Sequence, residues 1–131
     1  MKEFSWPVRV YYEDTDAGGV VFYANYLKFF ERARTEMLRS AGFEQDRLLS
    51  EESVIFVVRS ISVDYLKPAR FNEQIEVSAK IIESKKASLV FEQSITREQD
   101  VLCNGTIRIA CLDAQSMKPK PIPIAMLEQL T

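Results

Sequence analysis

Apolar and polar positions alternate over five stretches of the chain and recur at helical spacing over one. In residues 5–12, Trp6, Val8, Val10 and Tyr12 share one face of a first strand, with Arg9 and Tyr11 on the other. In residues 25–41, Tyr26, Phe30, Ala33, Met37 and Ala41 advance by four, three, four and four positions. Leu27, Phe29 and Leu38 widen that stripe, so one long amphipathic helix is predicted. Lys28, Glu31, Arg32, Arg34, Glu36 and Arg39 fill its other faces, with Arg32 and Glu36 at ion-pair spacing, and Gly42 stands where a glycine ends a helix. Residues 43–52 predict a short second helix or an ordered connection.

Residues 54–66 read as a strand with Val57, Ile61, Val63 and Tyr65 on one face, stopped by Pro68. Ile75, Val77, Ala79 and Ile81 mark a third strand, and Leu89, Phe91, Gln93 and Ile95 a fourth. A polar hairpin, Ser84-Lys85-Lys86-Ala87, joins these two, and Arg97-Glu98-Gln99-Asp100 turns into a fifth strand over residues 101–112. There Val101, Cys103, Ile107, Ile109 and Cys111 share a face, and Gly105 marks a bulge or a close approach. Residues 118–123 form a Pro-rich extended spacer before a short terminal helix at residues 125–130. Meander connectivity is the simplest arrangement, and the expected architecture is a single α+β domain over residues 1–131, one helix lying on one antiparallel sheet. Val58, Val90, Leu102, Ala110 and Leu112 fall off the helix-facing set, which points to a partner subunit on the far face.

A formal charge of −2 and a pI near 5.3 give no electrostatic reason for nucleic acid or an anionic membrane as main partner. Cys103 and Cys111 sit about 26 Å apart along one strand, too far for a disulfide, and read as reduced buried residues. With no apolar N-terminal region and no window of membrane-spanning character, a cytoplasmic protein is expected. Histidine is absent, which removes Ser-His-Asp and Cys-His catalysis, His general bases and His-based zinc sites. Neither a Gly-x-Ser-x-Gly elbow nor a phosphate-binding glycine motif appears. Any catalysis must then use carboxylates and backbone dipoles. The place for it is the stretch in which Glu13, Asp14 and Asp16 precede Gly18-Gly19 and the start of the long helix. Helix N-termini offer free N–H groups, and glycines admit a ligand close to the backbone. An Asp next to Gly is also an ordinary turn or cap residue, so spacing alone leaves both roles open.

The run Tyr12-Glu13-Asp14-Thr15-Asp16-Ala17-Gly18-Gly19-Val20-Val21-Phe22-Tyr23-Ala24-Asn25-Tyr26, continuing into Phe29-Phe30-Glu31-Arg32-Ala33-Arg34-Thr35-Glu36, resembles the hotdog-fold acyl-CoA thioesterases of the 4-hydroxybenzoyl-CoA thioesterase type. It is most similar to their bacterial YbgC-type branch, often encoded beside the Tol-Pal envelope system. Phe56-Val57-Val58-Arg59, Tyr65-Leu66-Lys67-Pro68-Ala69-Arg70 and Met117-Lys118-Pro119 extend the resemblance over nearly the whole chain. It implies a hotdog fold, an antiparallel sheet of about five strands wrapped around one long central helix. It also implies homodimers or homotetramers with active sites at subunit interfaces, and hydrolysis of acyl-CoA to free acid and coenzyme A.

On that resemblance Asp16 takes the position of the catalytic carboxylate, attacking the thioester carbonyl or activating water. The Tyr23 backbone N–H would polarise the carbonyl, and Gly18 and Gly19 would keep the loop tight around the acyl group. Some relatives carry histidine where this chain has Tyr23; a backbone role for residue 23 survives that change. Lys85 and Lys86, then Arg59 with Lys67 and Arg70, are the cations expected to meet the coenzyme A phosphates. Asp14 is expected to bond loop amides. Coenzyme A is part of the substrate, and the mechanism requires no other cofactor and no metal. Acyl carrier protein is a further expected partner; nucleic acid and membrane insertion are not. The alternatives are a non-catalytic module binding acyl-CoA or acyl carrier protein in the same groove, and a hotdog dehydratase, which the lack of histidine disfavours.

Overall fold

The helical stripe folds as read. Helix α1 spans Asn25–Ser40 and ends at Gly42, whose φ of +95° is the left-handed cap conformation glycine supplies at no steric cost. The computed structural model of the chain describes residues 2–131. Strand β1 covers Glu3–Arg9, helix α2 Gln45–Glu52, β2 Val54–Tyr65, β3 Gln74–Lys85, β4 Ser88–Arg97, β5 Asp100–Asp113 and helix α3 Ile124–Leu130. All five strands form one antiparallel sheet in the order β1-β3-β4-β5-β2. The apolar stripe of α1, centred on Phe29, Phe30, Ala33 and Met37, packs into one core cluster with Ile75, Val77 and Ile81 of β3, Phe91 and Ile95 of β4, and Cys103 and Ile107 of β5. Burying each of those phenylalanine rings stabilises the fold by about 1.5–3 kcal/mol relative to exposure. This is the hotdog arrangement, a sheet curved around one long helix.

Only β3-β4-β5 is a meander. Strand β2 lies at one edge, paired with β5 alone, with β1 at the other. A tight hairpin takes two to five residues, whereas residues 66–73 cross from the β2 edge over β5 and β4 to β3, next to the β1 edge. That crossing is tied down along its length. Leu66 and Lys67 N–H groups donate to Leu102 O, Val21 N–H donates to Ala69 O, and Asn72 N–H donates to Val10 O.

Single-residue bulges explain most of the other departures. Arg59 is the extra residue where Val58 pairs with Ile109 and Ser60 with Arg108. Before the bulge Phe56, opposite Cys111, packs on the core in place of Val57; after it Ile61, Val63 and Tyr65 hold that side. Leu102 is likewise unpaired between Ile95–Cys103 and Thr96–Val101, so Leu102 turns inward and Val101 outward. The expected apolar outer face is therefore corrected. Val90, Leu102 and Ala110 are buried within the chain, and the outer surface of β4, β5 and β2 carries Glu92, Ser94, Asn104, Thr106 and Ser62. Exposed apolar groups lie instead along β2, where Val58 is 49% and Ile61 40% exposed. The first strand also stops early: Tyr12 belongs to a 3-10 turn at Tyr12–Asp14 and is 80% exposed.

Both cysteines are free and buried. Burial pushes the Cys103 thiol up to about 12 and raises that of Cys111. Since the thiolate is the reactive form, dithionitrobenzoate at about pH 8 is expected to label neither in the folded protein and both after denaturation. Rapid labelling of the native chain would contradict this packing.

Candidate active site

The acidic loop is a small hairpin hung on the residues that cross from β2 to β3. Thr15 bridges Val21, the Asp16 N–H donates to Val20 O, and Val20 bridges Arg70. Gly19 N–H donates to Asp16 O at 3.0 Å, closing a turn with Asp first and Gly last, and Gly19 takes a φ of +78°. Gly18 N–H donates to Asp16 Oδ1 at 2.8 Å. A Cβ on Gly18 would come within 3.3 Å of that same oxygen, so a larger residue would crowd the carboxylate. Asp16 is exposed, and its Oδ2 has no hydrogen-bond partner among the described residues. One oxygen thus fixes the carboxylate and the other is open.

Asp14 has the structural role expected of it: Tyr11 N–H donates to its Oδ2 at 2.8 Å. Its carbonyl accepts from Phe22 N–H and from Asn25 Nδ2, folding the stretch before α1 back against the acids. At the start of α1 the Asn25 N–H is used by Phe22 O, and those of Tyr26 and Leu27 by Tyr23 O and Ala24 O. The Tyr23 and Ala24 N–H groups have no acceptor among the described residues. They lie at the positive end of the helix dipole, where a developing oxyanion is stabilised.

An aromatic groove surrounds this helix start. Val21, Tyr23, Tyr26, Tyr65, Leu66, Lys67 and Pro68 line about 230 Å³ of open space. Tyr65 packs at 5.3 Å from Tyr26 and 6.2 Å from Tyr23, ring centre to ring centre. Ala69 N–H donates to the Tyr26 hydroxyl, and burial raises that phenol above its ordinary range. Tyr23 itself is 63% exposed. Tyr65, Leu66 and Phe71 were not singled out as site residues by sequence, because only the crossing of residues 66–73 brings them beside a loop some fifty positions earlier. Arg97 fixes that crossing, donating to Pro68 O at 3.1 Å and to Glu73 Oε1 at 2.8 Å, while Arg70 N–H donates to the same oxygen.

Within one chain the expected cations fall into two groups. Lys85 and Lys86 occupy the β3–β4 turn, at the far end of β3 from the acidic loop, which contacts residues 69–73. Eleven residue steps at about 3.3 Å rise separate Gln74 from Lys85 by about 36 Å along the strand. Arg59 is the exposed bulge residue midway along β2. Within one chain, then, none of these three stands beside Asp16. Lys67 lines the groove and pairs with Asp100 at 3.2 Å, and Arg70 sits against Val20. One helix residue expected on an outer face lies inside, and the expected Arg32–Glu36 pair does not form. Arg34 is buried, and Glu36 pairs with Arg39 while Arg32 lies over the Phe29 ring. Among the described residues no cluster of three or more carboxylates and thiols is arranged to hold a metal ion.

Residues 10–130 match the family model described as the thioesterase-like superfamily. The chain is 48% identical over 120 residues to the acyl-CoA thioesterase YbgC of Haemophilus influenzae, covering 92% of this chain and 88% of that one. It is 46% identical over 127 residues to the acyl-CoA thioester hydrolase YbgC of Escherichia coli O157:H7, covering 96% and 94%. The crystal structure of a probable thioesterase from Bartonella henselae superposes with a TM-score of 0.89 at 34% identity, over 93% of this chain and all of that one.

Proposed function

The chain belongs to the thioesterase-like superfamily as a hotdog-fold acyl-CoA thioesterase closely related to the YbgC proteins, and from that premise we propose that Asp16 and the Tyr23 backbone N–H carry out its chemistry. The reaction is hydrolysis of an acyl-CoA thioester to free acid and coenzyme A. The observation that supports the residue assignment is the divided carboxylate: Asp16 Oδ1 is held by Gly18 N–H, and Oδ2 is free. As a general base, Oδ2 takes a proton from water as the water oxygen attacks the carbonyl carbon, and the thiolate of coenzyme A leaves. As a nucleophile, Oδ2 attacks directly, the thiolate leaves, and water then cleaves the acyl-aspartyl anhydride. In both routes the carbonyl oxygen gains negative charge, which the Tyr23 N–H accommodates at the α1 N-terminus. Single-turnover hydrolysis in oxygen-18 water separates them, because only the anhydride route leaves the first solvent oxygen in Asp16 when water attacks the aspartyl carbonyl. Free-thiol release across short, long and aromatic acyl-CoA thioesters tests the reaction itself; saturable binding without release on every member would count against it. Acyl carrier protein presents the same thioester on a pantetheine arm and belongs in the same assay as a second carrier.

The groove of about 230 Å³ is small beside the roughly 300–1,000 Å³ typical of ligand pockets. We read it as half of a site that a second copy completes, in a homodimer or homotetramer. The exposed β2 edge with Val58 and Ile61 supplies the surface for such pairing. Light scattering is expected to return two or four times 15.1 kDa. A second copy also gives Lys85, Lys86 and Arg59 a place at the coenzyme A phosphates of a neighbouring site. Replacing Lys85 and Lys86 together by Ala is then expected to raise KM about fivefold with kcat unchanged, an effect that fades at high salt. If KM stays put there but rises for Lys67→Ala or Arg70→Ala, the nucleotide lies against the groove of its own chain. Free, buried thiols suit the reducing cytoplasm, where we place the protein.

A further inference from the structure

Arg34 is 9% exposed on a helix that has ample outer surface for a cation. Its Nη1 donates to Gln93 Oε1 at 2.9 Å. That amide is fully committed, since its Nε2 donates to Phe30 O at 3.0 Å and Ser78 O at 3.1 Å. No carboxylate among the described residues forms an ion pair with Arg34. Burial pulls the guanidinium below its ordinary range, yet arginine stays charged at any physiological pH. A structural tie between α1 and β4 accounts for one of its five N–H groups and for none of its charge. Gln93 is its hydrogen-bonded partner and the exposed Glu31 carboxylate, one turn earlier on α1, acts on its charge without bonding it, so a directly bonded anion would offset part of the several kcal/mol that burying the charge costs.

Arg34 also lines a cavity of about 150 Å³, walled by Leu38, Leu89, Phe91, Ile109 and Met126 and reaching Val58 of the β2 pairing edge. An apolar cavity of about that volume holds benzene. Glu31 and Thr35 stand at the same cavity, where the Thr35 hydroxyl donates to the Glu31 carboxylate. Glu31 is exposed, so water screens its charge, whereas the guanidinium acts in a drier and less polarisable surrounding. None of these residues belongs to the acidic loop or the aromatic groove. We propose that this cavity is a second ligand site, taking a short apolar carboxylate of about benzoate size. The carboxylate pairs with Arg34 and the body lies against Phe91, Leu89 and Met126.

Benzoate and its neutral isostere benzamide test this on the full chain carrying isotope-labelled methionine methyl groups, read by nuclear magnetic resonance. Met126 lines the cavity, whereas Met37 and Met117 do not. Benzoate is expected to move the Met126 methyl signal saturably and leave those of Met37 and Met117 in place, with benzamide binding at least about tenfold more weakly. Arg34→Gln is expected to weaken benzoate by a similar factor. That variant also alters the Gln93 bond, so the benzamide comparison on the unaltered chain decides the matter if it does not fold. An unmoved Met126 signal, or equal titration by benzoate and benzamide, overturns the proposal. The measurement is of equilibrium binding, so its failure would leave the hydrolytic role of Asp16 untouched.

Discussion

Asp16→Asn is expected to lower kcat for acyl-CoA hydrolysis about a thousandfold while leaving the fold and the oligomer intact, the scale set by loss of a positioned base or nucleophile. The substitution separates chemistry from architecture because of how the carboxylate is held. Gly18 N–H donates to Oδ1, and the amide oxygen of Asn accepts the same hydrogen bond. The turn closed by Gly19 N–H to Asp16 O uses only backbone. What disappears is the negative charge and the unshared pair on the free oxygen. KM should therefore change little, and residual turnover would reflect the open N–H groups at the α1 N-terminus. Asp16→Ala is the less informative variant, since it also releases Gly18 N–H and loosens the loop. Thiol release gives kcat, and thermal unfolding of the same preparation checks that the loss is not one of folding. Wild-type turnover in the Asn variant would remove Asp16 from the mechanism and leave its loop role as its whole purpose.

Periodicity located every strand and the long helix, because burial on one face writes a period of two or of 3.6 into the residues themselves. It did not locate the bulges at Arg59 and Leu102, since one inserted residue leaves no compositional mark yet reverses which side chains face the core. Nor could it place β2, whose partner is chosen by where residues 66–73 cross, and that depends on hydrogen bonds to Leu102, Val21 and Val10 far away in sequence. The candidate catalytic segment is readable for the opposite reason. Acid, glycines and helix start are contiguous, so their juxtaposition is local. The groove beside it is not local, and its Tyr65 and Leu66 read as ordinary strand and loop residues. Arg34 is hidden differently: a charged residue on an amphipathic helix predicts solvent, and its hydrogen bond to Gln93 on β4 joins residues 59 positions apart.

Gly105→Ala is expected to destabilise the fold by about 1–3 kcal/mol, the usual cost of overpacking a closed core, and to lower Tm by several degrees. Gly105 lies in regular register on both sides, opposite Gln93 of β4 and Val63 of β2, so of the two roles its sequence allowed, close approach is the one realised. A Cβ there would stand 2.8 Å from Phe30 Cε2 and 3.3 Å from Phe30 Cζ and Ile107 Cδ1. The Phe30 ring is fully buried in the middle of α1, and the Phe30 carbonyl accepts from Gln93, so neither ring nor helix can withdraw cheaply. The entropy that alanine removes from the unfolded chain, about 0.4–1 kcal/mol, offsets part of the cost. Phe30→Leu should relieve the clash, and the double variant should then be more stable than the sum of the two single losses predicts. Additive losses in denaturant titrations would mean that Gly105 and Phe30 do not meet. Because α1 carries Phe30 near its middle and the free Tyr23 N–H at its start, a clash that displaces the helix should also lower kcat. The Leu variant should restore activity and stability together.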